Sequence, residues 1–247
     1  MSVTRIIVHG LLLAAPAVAF AADDMQPIGR FAIDRSEVTI GAFERFVAAT
    51  GAKTRAERDG GGHVYAAGWE RKRGWHWRAP YGRPGRPDEP AVHVTFAEAQ
   101  AYCAWAGKRL PSDAEWVEAA YTERRAAPPP PFERGRTYPY PTGDSPVGAN
   151  CLGDCGGRHA GTAGALLARG EGHVPARTTR AGVNGLYDMG ANVWEWVDEG
   201  RGSERRTRGG SWWYGAAQMQ ADAIADKPAD FTAVYIGFRC VKDLASR

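Results

Sequence analysis

The sequence predicts a loop-rich domain that mixes short helices with short strands. Three observations carry this. The chain holds 31 glycines and 16 prolines in 247 residues, a content that favours turns and irregular backbone over a helix bundle. Two capping boxes, Thr95-Phe96-Ala97-Glu98 and Ser112-Asp113-Ala114-Glu115, each open a brief helical run. Between residues 52 and 89 neither the helical nor the strand period is sustained. With 44% hydrophobic and 24% charged residues, the composition is that of one globular domain with its own core. A net charge of +3 gives no argument for a nucleic-acid partner.

The N-terminus reads as an export signal, residues 1–21. Arg5 supplies the positive region, Ile6 to Val18 the apolar run, and Ala19-Phe20-Ala21 the cleavage site, so a mature chain is expected to begin near Ala22. The run is too short to span a bilayer, and no later stretch reaches spanning length. No cysteine follows the signal to carry a lipid. The expectation is a periplasmic or secreted protein without a membrane anchor, monomeric, with residues 22–247 forming a single domain.

Phe31 to Asp34 alternates as a strand. Thr39 caps a helix to about Thr50, with Phe43, Phe46 and Val47 on one face and Gly51 as its stop. Residues 52–89 read as a long loop pinned by Tyr65, Trp69, Trp75, Trp77 and Tyr81. Its basic residues, concentrated between Lys53 and Arg86, suit a solvated face or a docking surface for an acidic partner. The first capping box opens a helix through Ala106, stopped by Gly107, and the second a helix to about Thr122. Each carries a tryptophan, Trp105 and Trp116, that is expected to be buried. Ala126 to Pro131 is an extended Pro-rich linker. Arg208 begins a strand, and Ala233 to Val241 forms the closing strand. There is no internal repeat.

Residues 185–196, Gly-Leu-Tyr-Asp-Met-Gly-Ala-Asn-Val-Trp-Glu-Trp, follow no regular period. Their aromatic and glycine content allows two readings: a buried turn in a core, or a turn that coordinates a cation through Asp188 and Glu195. This stretch resembles the pattern Gly-Leu-Tyr-Asp-Met-x-Gly-Asn-Val-Trp-Glu-Trp of the formylglycine-generating enzyme (sulfatase-modifying factor) family, with Ala191 where glycine is usual. Pro90 to Phe96, Ala101 to Trp116, Arg208-Gly209-Gly210-Ser211-Trp212 and Gly237-Phe238-Arg239-Cys240 match in family order.

The resemblance implies an α+β formylglycine-generating-enzyme fold related to C-type lectins, rich in irregular structure, with a few helices around small antiparallel sheets. It implies a disulfide between Cys103 and Cys240, which leaves Cys151 with Cys155. Exported proteins favour disulfides. For the second pair a zinc site is the rival, although two cysteines alone cannot fill a tetrahedral shell, and a redox-active pair is a further alternative, because short spacings make reducible bonds. The resemblance also implies a structural calcium ion held by Asn150, Asp188, Ala191, Val193 and Glu195. Ala191 would strain the turn if that position needs positive φ.

In the family, two cysteines after the Arg-Gly-Gly-Ser motif bind copper(I), because soft thiolates select it. Here those positions hold Tyr214 and Met219, so formylglycine generation by that route, and copper there, are not expected. The resemblance places the pocket at Ser211, Trp212, Trp213, Tyr214 and Met219, with aromatics that could stack on a planar substrate. The six histidines are scattered, unlike the three-His iron site of the sulfoxide-synthase branch. His93 reads as structural, and His63 and His76 as exposed. No Ser-His-Asp order, P-loop or dinucleotide fingerprint is present. The leading expectation is an exported maturation factor that oxidatively modifies a secreted protein, peptide or peptide-derived small molecule. The alternatives are a non-catalytic lectin-like binding module and a genuine formylglycine generator.

Overall fold

The computed structural model describes residues 24–65, 68–156 and 172–245; the expected export signal and residues 157–171 lie outside the described residues. Along the chain run β1 (Met25–Ile28), β2 (Phe31–Asp34), α1 (Ile40–Thr50), α2 (Arg55–Arg58), β3 (Gly61–Tyr65), β4 (Trp69–Arg73), α3 (Phe96–Trp105), α4 (Asp113–Tyr121), β5 (Trp194–Trp196), β6 (Glu204–Arg208), β7 (Ala225–Pro228), β8 (Ile236–Gly237) and β9 (Val241–Asp243). No helix among the described residues is long and apolar enough to cross a membrane.

The local signals for helices hold. Thr39 accepts from Ala42 N at the start of α1, and Gly51 closes it in the left-handed region at φ 68°. Both expected capping boxes form, at α3 and α4. Each satisfies backbone N–H groups that a helix start otherwise leaves open. Trp116 is fully buried, whereas Trp105 is only half-buried, packed edge-on to Phe46 and Tyr102 at the rim.

The strands are harder to read in the sequence. β1, β2 and β9 form one antiparallel sheet. β3 and β4 form a hairpin inside the stretch expected to be a loop. The β4 residues Trp-Glu-Arg-Lys-Arg face solvent on both sides, so no alternation marks them. The third sheet has the order β7-β6-β5-β8. Its β5–β8 pair is parallel, a departure from wholly antiparallel sheets. Trp194–Trp196 is thus a strand and not part of an irregular turn. Arg208 ends a strand instead of beginning one, and the expected closing strand is broken between β8 and β9. Short pairings joined by turns leave no run long enough for period two to show.

The main core gathers Phe43, Trp77, Tyr102, Trp196, Trp212, Tyr235 and Phe238, among others, between α1, α3 and the third sheet. A second cluster packs Trp116 and Tyr121 of α4 on Ile28, Ile33, Leu186 and Val197. The Cys103–Cys240 disulfide ties α3 to the segment before β9 across 137 residues of sequence. Cys151 and Cys155 are bonded to each other. Lys108, in the linker between α3 and α4, bonds Asp34 of β2 at 2.8 Å.

Candidate functional site

Asp188, Ala191 and Asn192 all adopt positive φ, at 59°, 61° and 54°. Aspartate and asparagine tolerate this region; alanine does not do so readily. The backbone bends sharply here and delivers Trp194–Trp196 into the third sheet. Ala191 therefore occupies the left-handed conformation that explains glycine in the related pattern.

Beside this turn lies a buried charge cluster. Glu195 receives the Arg239 guanidinium on both oxygens, Nε to Oε2 at 2.8 Å and Nη2 to Oε1 at 2.7 Å, and Trp116 Nε1 also donates to Oε2 at 2.8 Å. Arg239 donates further to the carbonyls of Asp34 and Tyr187. Burial works against the charge on Arg239, but Glu195 overcomes it and holds the guanidinium protonated. Asp188 accepts from Thr179 Oγ1 and from Arg177 N, and burial raises its carboxyl above the usual range.

Sequence reasoning missed Glu37, 2% exposed. Its carboxylate accepts from Asn192 Nδ2 at 3.0 and 3.2 Å. Burial, then the negative charges of Asp188 and Glu195, raise its pKa well above that of an ordinary glutamate. The signal was weak: Glu37 is a single acidic residue before α1, 151 positions from Asp188, with no motif of its own.

Three buried carboxylates thus face one buried guanidinium. Uncompensated negative charge at such depth is costly; Arg239 answers Glu195, and the raised pKa values of Glu37 and Asp188 favour their neutral forms. As placed, the three carboxyl groups do not make a calcium site: both Glu195 oxygens are taken by Arg239 and Trp116, both Asp188 oxygens accept from Thr179 and Arg177, and among the described residues the three do not bring ligand atoms within 4.8 Å of one another. Asn150 stands further off. It donates to Asn192 Oδ1 at 2.9 Å and to Gly172 O at 3.1 Å, so Asn192 lies between Asn150 and Glu37.

The expected pocket residues are divided between two places. Trp212, Trp213 and Tyr214 join the main core. Trp194 meets Tyr214 edge-on at 5.7 Å, and Trp212 and Trp213 flank Tyr235 at 6.2 and 6.1 Å. Ser211, Trp212 and Trp213 are buried, and Tyr214 alone of the five is partly exposed. The Trp194 and Trp212 indole N–H groups are buried and have no acceptor among the described residues. Lys227 sits over the Trp194 ring at 5.9 Å, and burial lowers its pKa. Met219 turns the other way, into a cluster with Ala149, Cys151, Cys155, Ala191 and Ala216.

The histidines take structural places. His93 is fully buried, with Nε2 2.9 Å from Pro80 O, and burial lowers its pKa to about 4. His63 and His76 are half-buried instead of exposed; His63, in β3, lies 3.1 Å from Thr232 O and stacks on Phe231. His173 joins Tyr81 and Glu89 in a buried chain, Nδ1 to Tyr81 Oη 3.0 Å and Nε2 to Glu89 Oε2 3.0 Å. These three residues come from segments without a recognisable motif.

Comparison with known proteins accounts for this arrangement. The sulfatase-modifying factor enzyme 1-like domain matches residues 9–244. The formylglycine-generating enzyme of Streptomyces coelicolor is 33% identical over 260 residues, covering 86% of this chain and 78% of that protein. The inactive C-alpha-formylglycine-generating enzyme 2 of Mus musculus is 29% identical over 241 residues, covering 85% of this chain and 74% of that one. Hercynine oxygenase of Mycolicibacterium thermoresistibile is 32% identical over 209 residues, 67% of this chain but 43% of that protein. Among solved structures, PvdO from Pseudomonas aeruginosa shares the fold with a TM-score of 0.60 at 21% identity, over 87% of this chain and 80% of the other. The chain belongs to the sulfatase-modifying factor family, in which the formylglycine-generating enzymes are found.

Proposed function

We propose that this protein is an exported maturation factor that oxidatively modifies a secreted protein, a peptide or a peptide-derived small molecule, at the aromatic floor formed by Trp194, Trp212, Trp213 and Tyr214. The observation that carries this reading is the pair of buried indole N–H donors, on Trp194 and Trp212, that find no acceptor among the described residues. A buried donor left open costs about 1–3 kcal/mol. It persists where a ligand or bound water completes it. Tyr214, partly exposed beside Trp194, offers a face on which a planar group can stack.

Family membership supports oxidative chemistry. Relatives include proteins named formylglycine-generating enzyme and hercynine oxygenase. With Tyr214 and Met219 at the two positions where the resemblance implies cysteines, this chain does not repeat that thiolate pair. Two disulfides support an oxidising compartment, consistent with export.

A second reading, a non-catalytic binding module, draws on Ser211, Trp212 and Trp213 being packed shut and on a relative named as inactive. Untargeted mass spectrometry of the exported fraction separates the two. It compares a deletion strain complemented by the wild type with one complemented by Tyr214→Ala. A product carrying a small oxidative mass change, present only with the wild type, supports the enzyme. No mass difference, with a partner retained by the wild-type protein, supports the binding module.

A further inference from the structure

The β3–β4 hairpin leaves a row of backbone groups open along its outer strand. β3 has neighbours on both sides. His63 N donates to Thr232 O at 2.7 Å, and His63 O accepts from Val234 N at 3.1 Å, so the backbone groups of His63 point away from β4. Facing residues of an antiparallel pair alternate between bonded and unbonded positions. His63 stands opposite Arg71, Gly61 opposite Arg73 and Tyr65 opposite Trp69. The bonded positions are therefore Gly62 with Lys72 and Val64 with Glu70, and Gly74 N continues them by donating to Gly60 O at 2.9 Å. Trp69, Arg71 and Arg73 consequently turn their N–H and C=O groups outward, where β4 has no neighbouring strand among the described residues.

The same three residues share one face of the strand. Trp69 is 50% exposed although its ring packs edge-on to Phe231 at 4.7 Å, and Tyr65, edge-on to it, is 41% exposed. Arg71 reaches Asp59 only at 3.6 Å, with both residues exposed, and Arg73 has no ionic partner among the described residues. Lys72 pairs with Glu70 on the opposite face. The strand thus carries three cations and one anion along an open edge.

Cations on an edge strand protect against pairing with a second copy, because like charges then meet. They do not protect against a strand of opposite sign. We propose that β4 is a docking edge for an extended acidic peptide segment, which adds to the hairpin as a further strand. Backbone hydrogen bonds at Trp69, Arg71 and Arg73 supply the affinity. Acidic side chains opposite Arg71 and Arg73 supply the selectivity, and the exposed Trp69 ring gives an apolar neighbour at one end. That end lies close to the aromatic floor: Trp69 is tilted against Tyr235 at 5.9 Å, and Tyr235 against Trp213 at 6.1 Å. That the docked segment belongs to the molecule being modified rests on the function proposed above; the docking itself does not.

Fluorescence anisotropy of a labelled peptide, Asp-Val-Glu-Val-Asp-Val-Glu, measures docking without any turnover. Its acids fall on one face, and its valines favour an extended chain. Wild type is expected to bind it saturably below about 1 mM. Two further versions, N-methylated at the acids or at the valines, each block one edge of the peptide. Strand addition uses only one edge, so one version should bind about tenfold more weakly than the other. A version with lysine at each acidic position should not bind, and Arg71→Glu/Arg73→Glu should weaken the parent peptide about tenfold or more. The proposal is overturned if binding does not saturate, if the two methylated versions bind alike, or if the lysine version binds as well as the parent. A dimer in analytical ultracentrifugation that the acidic peptide does not dissociate would assign the edge to a second copy and overturn it too. The methylated peptides are compared on wild-type protein, so they decide even if the double variant fails to fold. Absent docking beside an intact mass change in the exported fraction would remove this inference and leave the proposed modification standing.

Discussion

Glu37→Gln separates the ionic role of the buried carboxylates from their packing. Glu37, Asp188 and Glu195 are 2%, 5% and 1% exposed and lie near one guanidinium, that of Arg239. Burial and the two neighbouring carboxylates raise the Glu37 pKa well above that of an ordinary glutamate, so the folded chain keeps a proton there that the unfolded chain releases at about pH 4.3. The stability it contributes is full below that value and is lost as pH rises, by about 1.4 kcal/mol for each pH unit between the unfolded and folded pKa values. For a chain of this size each such step corresponds to about 3–6 °C. The amide of Glu37→Gln is neutral throughout, and its oxygen can still accept from Asn192. Differential scanning fluorimetry between about pH 4 and pH 8 reads the difference: the melting temperature of wild type should fall relative to that of Glu37→Gln as pH rises. Melting curves that keep a constant separation over that range would refute the reasoning. Glu195→Gln is a poorer probe, because it also breaks the pair with Arg239.

That pair carries its own prediction. Glu195→Gln or Arg239→Met leaves a buried charge without its partner and should cost about 3–5 kcal/mol in urea unfolding. Opening the Cys103–Cys240 crosslink as the double serine variant releases a loop of 137 residues and should cost about 5 kcal/mol by the chain-entropy relation, read as a lower urea midpoint. His93 gives a pH dependence. Its folded pKa is lowered to about 4, against about 6.5 in the unfolded chain, so the stability it contributes is present above the unfolded value and lost as pH falls toward 4. Over that window stability should drop by about 3 kcal/mol. A histidine resonance that titrates normally near 6.5 when assigned to His93 would contradict the burial argument.

The helices were legible because their information is local. Thr39, Thr95, Ser112, Gly51 and the glutamates three residues into α3 and α4 act within a turn of the backbone they satisfy. The loop-rich character followed from glycine and proline content, and the motif order placed the chain in its family. The β3–β4 hairpin was not legible: apart from Trp69, which packs on Phe231 and Tyr235, β4 is largely exposed on both faces, so its polar residues carry no alternation. The strands of the third sheet are two to five residues long, too short for a period to emerge, and their parallel β5–β8 pairing is a property of how distant segments meet.

The candidate site divides in the same way. The sequence by itself determined the bend at residues 188–192, the aromatic residues beside it and the replacement of the family's two cysteines by Tyr214 and Met219. It determined four cysteines but left the use of Cys151 and Cys155 open. Only the tertiary structure decided that Glu37 completes the carboxylate cluster, that Arg239 answers Glu195, that Met219 leaves the aromatics, and that its sulfur lies against Cys155. The physical reason is range. Capping, turn conformation and composition act between neighbours along the chain. Charge compensation, buried hydrogen bonds and sulfur contact act through space, between residues the chain separates by 44 to 155 positions.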